Sequence, residues 1–139
     1  MISYNSENAF NLDNEKLLRK WLEQVILNED KKLGEINYVF CDDDYLLKMN
    51  VEFLKHDTLT DIISFDYTVG KIIQGDVFIS TERVADNAID FKVPFEEELH
   101  RVMVHGILHY CGYKDKTDED AIIMRSKENH YLQLLSNIQ

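Results

Sequence analysis

Apolar positions along this chain recur at helical spacing in some stretches and alternate in others, and the order of those stretches predicts the architecture. Leu17, Leu18, Trp21, Leu22 and Val25 share one face of a helix running to about Asn28, with Asn11 or Asp13 as its cap and Gly34 as its exit. A short strand over Met1 to Tyr4 precedes it. Glu35 to Cys41 alternates, placing Ile36, Tyr38 and Phe40 on one side of a strand. The run Asp42-Asp43-Asp44 has the look of a metal site but suits a helix start better, ahead of a helix carrying Leu46, Leu47, Asn50 and Phe53. Asp61 to Phe65 reads as a buried strand, and Ile72 to Ser80 as another, interrupted at Gly75-Asp76.

Ser80 or Thr81 caps a helix over Glu82 to Asp90, and Pro94 opens the next, which carries Glu96, Glu97 and Glu98 in its first turn and stops at Gly112. Thr117 and Asp120 resemble a capping box before a last helix with Ile122, Ile123, Tyr131, Leu132 and Leu135. Helices interleaved with a few strands predict an α+β layer structure. The short link between the third and fourth strands predicts a mixed sheet. One Pro and five Gly in 139 residues leave little room for a linker, so residues 1–139 are expected to form a single domain. No apolar run is long enough to span a bilayer and the first residues lack a signal-peptide pattern, which makes the cytoplasm the expected compartment. There, Cys41 and Cys111 would remain thiols.

Charge complicates the functional reading. The net charge of −11 disfavours a protein that holds nucleic acid by bulk electrostatics. A metal and a few cations in one groove can still create a local field of the opposite sign.

Candidate chemistry is concentrated between Arg101 and Asp115. His105 and His109 stand four apart on the predicted helix, about 5–6 Å between Cβ atoms, so two imidazoles can meet one ion. Gly112 then stops the helix, and the chain can return with Asp115 as a third ligand, leaving a fourth position for water or substrate. The position after His105 is Gly106, where the H-E-x-x-H proteases carry their general base, so peptidase chemistry is disfavoured. Two His and a carboxylate suit zinc and also match the facial triad of non-haem iron. His100 and His130 read as packing or solvated residues, with His130 the better candidate to support a ligand. Asp76 reads as a turn or supporting residue, and Asp118, Glu119 or Asp120 could replace Asp115.

The segment His105-Gly106-Ile107-Leu108-His109-Tyr110-Cys111-Gly112-Tyr113 resembles the H-G-x-L-H-x-x-G-Y segment of the YbeY family. Thr60 to Phe65 resembles that family's T-D-V-L-S-F strand, Gly75 to Ser80 its G-D-I-x-I-S strand, Asn50 to Asp57 its N-x-x-Y-R-x-K-D segment, and Met124 with Glu128 its M-x-x-x-E pair. The resemblance runs in order over roughly residues 35–135. It implies a zincin-like domain with one zinc on His105, His109 and Asp115, cleaving single-stranded RNA in 16S rRNA 3′-end maturation and ribosome quality control. Its implied partners are rRNA precursor and the small ribosomal subunit with its proteins.

Two departures stand out. Asp115 occupies the place of the family's third His, and a carboxylate there partly cancels the charge of the ion. Leu54 occupies the place of the Arg in the family's Y-R pair, and Lys55 and His56 are the candidates to replace it in holding substrate, with Asp61 and Ser64 as further cleft residues. These departures keep two other readings open, a non-catalytic ribosome-assembly factor with a structural metal and a zinc hydrolase of another substrate.

Overall fold

A computed structural model describes residues 1–54 and 60–139. Its elements follow the predicted order: β1 (Ile2–Ser6), α1 (Glu15–Asn28), β2 (Lys32–Cys41), α2 (Asp43–Leu54), β3 (Ile62–Asp66), β4 (Ile72–Ser80), α3 (Thr81–Phe91), α4 (Phe95–Tyr110) and α5 (Asp118–Ile138). The sheet order is β1-β2-β4-β3, with β1, β2 and β4 parallel and β3 antiparallel to β4. The fold is therefore α+β with a mixed sheet, as the short β3–β4 link predicts.

Alternation assigns the two faces of the sheet. Ile36, Tyr38 and Phe40 of β2 and Ile73, Val77 and Ile79 of β4 join the main core, which α1, α4 and α5 complete. Cys41, Ile63 and the partly buried Phe65 and Phe78 belong to a smaller cluster closed by Leu46 and Met49 of α2. In α1 the buried stripe is Leu18, Trp21, Leu22, Val25 and Ile26. The indole N–H of Trp21 donates to the Tyr131 carbonyl at 2.7 Å, which ties α1 to α5.

Helix α4 carries the candidate chemistry and lies directly against the sheet. The Tyr38 hydroxyl donates to the Met103 carbonyl at 2.8 Å. A Cβ on Gly106 would stand 3.3 Å from Ile62 Cδ1 and Val77 Cγ1, so a side chain here would require these strand side chains to give by a few tenths of an ångström. This packing is why a glycine separates the histidine turn from the sheet.

Several expectations are corrected. Neither Asn11 nor Asp13 caps α1. Asn14 does so in the left-handed conformation, without a side-chain bond. Gly34 is not the helix exit: the chain turns at Asp30, with φ of 59°, and Gly34 sits inside β2, where a Cβ would overlap Gln74 and crowd the Ile73 carbonyl. Gly75-Asp76 does not interrupt β4, because the Tyr110 ring fills the space that a side chain at 75 would take. Asp76 accordingly is in a strand, accepting from Asn37 Nδ2 at 3.0 Å. The strand expected to be buried at 61–65 is an edge strand in which only Ile63 is fully buried. Ile122 and Ile123 point to solvent at 70% and 50% exposure, and α5 buries Met124, Glu128, Tyr131 and Leu135 instead. Among the described residues, no helix is long and apolar enough to cross a membrane.

Candidate metal centre

The end of α4 brings two histidines and an aspartate together. Gly112 N–H donates to the His109 carbonyl and Tyr113 N–H to the Leu108 carbonyl, both at 3.0 Å, the paired bonds of a Schellman stop. Gly112 takes φ of 106°, a conformation that a Cβ would strain. The reversal carries the Tyr113 carbonyl to within 2.9 Å of His109 Nδ1 and brings Asp115 beside both rings. His105 Nε2 and His109 Nε2 are 2.9 Å apart, and Asp115 Oδ2 is 3.3 Å and 3.4 Å from them.

The outer ring nitrogens decide what this centre can bind. A carbonyl can only accept, so His109 Nδ1 carries the proton that bonds Tyr113. His105 Nδ1 is 2.7 Å from Glu128 Oε2 and likewise donates. Both Nε2 atoms are then left with lone pairs aimed at each other and at a carboxylate. With both imidazoles neutral, three acceptors converge with no donor between them, an arrangement that a cation satisfies. Without an ion, a second proton on His105 would occupy the same place. Two imidazole nitrogens and one oxygen fit zinc and comparable divalent transition metals, and each ligating histidine has the outer hydrogen bond typical of such sites. Among the described residues, these three form the only such His/Cys/Asp/Glu group, with their candidate ligand atoms within 4.8 Å of one another.

Glu128 is the buried hub behind the centre. It accepts from Arg101 Nη1 at 3.1 Å as well as from His105, with Arg125 Nη1 at 3.7 Å. Burial opposes its charge, but the bonds from His105 and Arg101 outweigh burial and hold its carboxyl below the usual range. Burial likewise opposes charge on His105, but the bond to Glu128 and the charges of Glu128, Asp115 and Asp61 raise its pKa. The sequence marked Glu128 only as half of a motif pair and assigned it no role. Arg101, four residues before His105 on the same helical face, was the available clue to this group.

Glu29, just after α1, fixes the far side of the turn. It accepts from the hydroxyls of Tyr113, at 2.6 Å, and Tyr131, and from Lys127 at 3.3 Å. Burial opposes its charge, yet these donors together hold its pKa below the ordinary glutamate range. A depressed carboxylate pKa contributes stability that is present above the unfolded-state value and lost as pH falls through the folded-state value. The stability gap between wild type and Glu29→Gln is therefore expected to narrow on acidification through and below the ordinary glutamate range. Thermal melts at neutral and acid pH read it, and a gap independent of pH would refute the assignment.

An open cleft of about 430 Å³ surrounds the centre. His105, His109 and Asp115 line it together with Asp61 and Ser64, two of the residues expected there. Lys55 and His56 lie outside the described residues. The cleft also takes in Glu98, Arg101, Arg125, Asn87 and Phe91, none of which was expected at the site from sequence. Glu98 is 5% exposed in the first turn of α4, and burial, with the nearby Asp61 charge, raises its pKa. His130 does not support the centre. It is exposed and meets the ring of Tyr131. His100 packs its ring edge against Trp21, and Asp118, Glu119 and Asp120 form the first turn of α5, where Thr117 Oγ1 accepts from Asp120 N–H.

A family model described as Endoribonuclease YbeY matches residues 2–136. The chain belongs to this family. Among YbeY relatives, the endoribonuclease YbeY of Flavobacterium johnsoniae is 67% identical over 129 residues, covering 93% of each chain. That of Flavobacterium psychrophilum is 61% identical over 134 residues, covering 96% of each, and that of Phocaeicola vulgatus 46% over 137 residues, covering 98% and 99%. A solution structure of a Thermotoga maritima protein is 27% identical with a TM-score of 0.70, covering 97% of this chain and 89% of its own. The YbeY fold thus extends over β1 and α1, N-terminal to the motifs that carry the resemblance in sequence.

Proposed function

We propose that this chain is a zinc-dependent, single-strand-specific endoribonuclease that acts in the cytoplasm on the 3′ end of 16S rRNA and in ribosome quality control, with the small ribosomal subunit presenting the RNA. The observation that carries this reading is the convergence of His105, His109 and Asp115 in the cleft of a member of an endoribonuclease family. His105, His109 and Asp115 would hold the ion. Bound there, zinc supplies positive charge for a phosphoryl oxygen and acidifies water.

The chain's own residues do the rest. Glu128 and the Tyr113 carbonyl orient the two imidazoles and keep their Nε2 lone pairs free. Among the described residues Arg125, with its side chain 53% exposed and only loosely paired to Glu128, is a cation of the cleft that can meet a phosphate, a contact that would compensate for Leu54 at the family's Arg position. Arg101 is committed to Glu128 and serves the site through it. Asp61 and Ser64 offer polar contacts to ribose hydroxyls. RNA carries its own 2′-OH, so a strong protein base is not obligatory.

A second reading draws support from the net charge of −11: an assembly factor that docks on basic ribosomal proteins without cleaving. The test is cleavage of a 16S 3′-end precursor by purified protein, alone and with small subunits. Cleavage that stops with chelator, returns with zinc and is absent in Asp115→Ala is expected. Bound metal without cleavage, even with subunits present, would favour the assembly role.

A further inference from the structure

One wall of the cleft has no part in holding the metal. Asn87 and Phe91 stand one turn apart on α3 and line the same cleft as the metal centre. Phe91 is 56% exposed. Every other phenylalanine of the chain makes a ring contact, and Phe91 makes none among the described residues. A half-exposed ring lining a polar cleft leaves an aromatic face open to a planar partner. The neighbouring chemistry narrows that partner. An exposed guanidinium, an amide and an aromatic face in one cleft match how proteins hold unpaired nucleotides, with cations tracking phosphates and rings stacking on bases. A protein segment would instead favour a closed apolar socket.

We infer that Phe91 is the stacking platform for one unpaired nucleobase of an RNA strand whose backbone meets Arg125, with Asn87, whose Nδ2 donates to Asp61 Oδ2 at 3.5 Å, offering its amide oxygen to the base edge. The inference rests on the endoribonuclease reading and adds to it a source of strand selectivity. A base inside a duplex has both faces stacked on its neighbours and cannot offer one to Phe91. Selection of single strands then follows from a side chain on α3, apart from the metal ligands on α4 and the turn after it.

The test is binding to labelled, cleavage-resistant 2′-fluoro oligonucleotides at low salt, single-stranded and duplex, including a series with one abasic position moved along the strand. Phe91→Ala is expected to weaken single-strand binding about tenfold and duplex binding hardly at all. Phe91→Trp should retain affinity, with its added fluorescence quenched on binding. For the oligonucleotide whose abasic position falls at Phe91, wild type and Phe91→Ala should bind alike. Equal affinity of wild type and Phe91→Ala for every strand would overturn the inference while leaving the enzyme reading intact. A loss of the same size for every abasic oligonucleotide would also overturn it, by showing that Phe91 acts without stacking on a base. Failure of the wild type to bind any single strand, with or without ribosomal subunits, would remove the enzyme reading and this inference with it.

Discussion

Glu128→Ala is expected to lower the unfolding free energy by about 3–5 kcal/mol and to weaken metal binding about 10–100-fold. Glu128 is 6% exposed and holds two donors at once, His105 and Arg101. Removing it strands a guanidinium whose side chain is only 16% exposed and frees an imidazole that was fixed in one tautomer. The stability loss arises from the uncompensated charge of Arg101. The affinity loss arises from His105, which can then rotate or place its proton on Nε2, the atom that would hold the ion. Glu128→Gln separates the two effects. It keeps the shape and one acceptor, but its amide must face one of the two donors, so its stability should fall between wild type and Ala. Urea unfolding of the chelated protein and zinc titration read the two quantities. A stability change under about 1 kcal/mol for Glu128→Ala would refute the hub.

Loss of any one ligand is the second large effect. A complete structural zinc site is worth about 10–16 kcal/mol. A quarter of that is about 3 kcal/mol, so His105→Ala, His109→Ala and Asp115→Ala should each weaken zinc binding by about two orders of magnitude. Asp115→His should retain binding and remove one negative charge from beside the ion. Water acidified by a three-His site ionises more readily, so the pH–rate profile of Asp115→His is expected to lie below that of the wild type. Competition titration against a zinc chelator and a pH series of cleavage rates measure both. Unchanged affinity in His109→Ala, with the fold retained, would dissolve the centre.

How far the sequence could be read depended on how local each determinant is. The stop at Gly112 and the pairing of His105 with His109 are set within a few residues of chain, so spacing alone exposed them. The same holds for the Ser80 cap of α3, whose hydroxyl accepts from Arg83 N–H. Gly34 and Gly75 misled because a glycine that ends a helix and a glycine that admits a distant side chain look alike in sequence. What requires glycine at 75 is the Phe65 carbonyl together with Tyr110, both on other elements. Ile122 and Ile123 misled because α5 buries Met124 and Glu128 instead, a stripe set by contact with Arg101 and His105 across the fold. The carboxylates were the least legible. Glu98 has the signature of a helix-dipole residue and Glu128 that of a surface acid, and only tertiary packing buries both.

The three donors of the proposed metal centre all fall within residues 105–115, and the turn that unites them is built from the same short segment. Closing so short a loop costs little chain entropy, so the segment is expected to retain some affinity for zinc when the rest of the chain is unfolded. Ligand binding stabilises a fold only by the difference between its affinities for the native and unfolded states. Zinc should therefore raise the melting temperature by less than its dissociation constant from the native protein implies. That shortfall measures how much of the site belongs to the segment and how much to the remote support of Glu128.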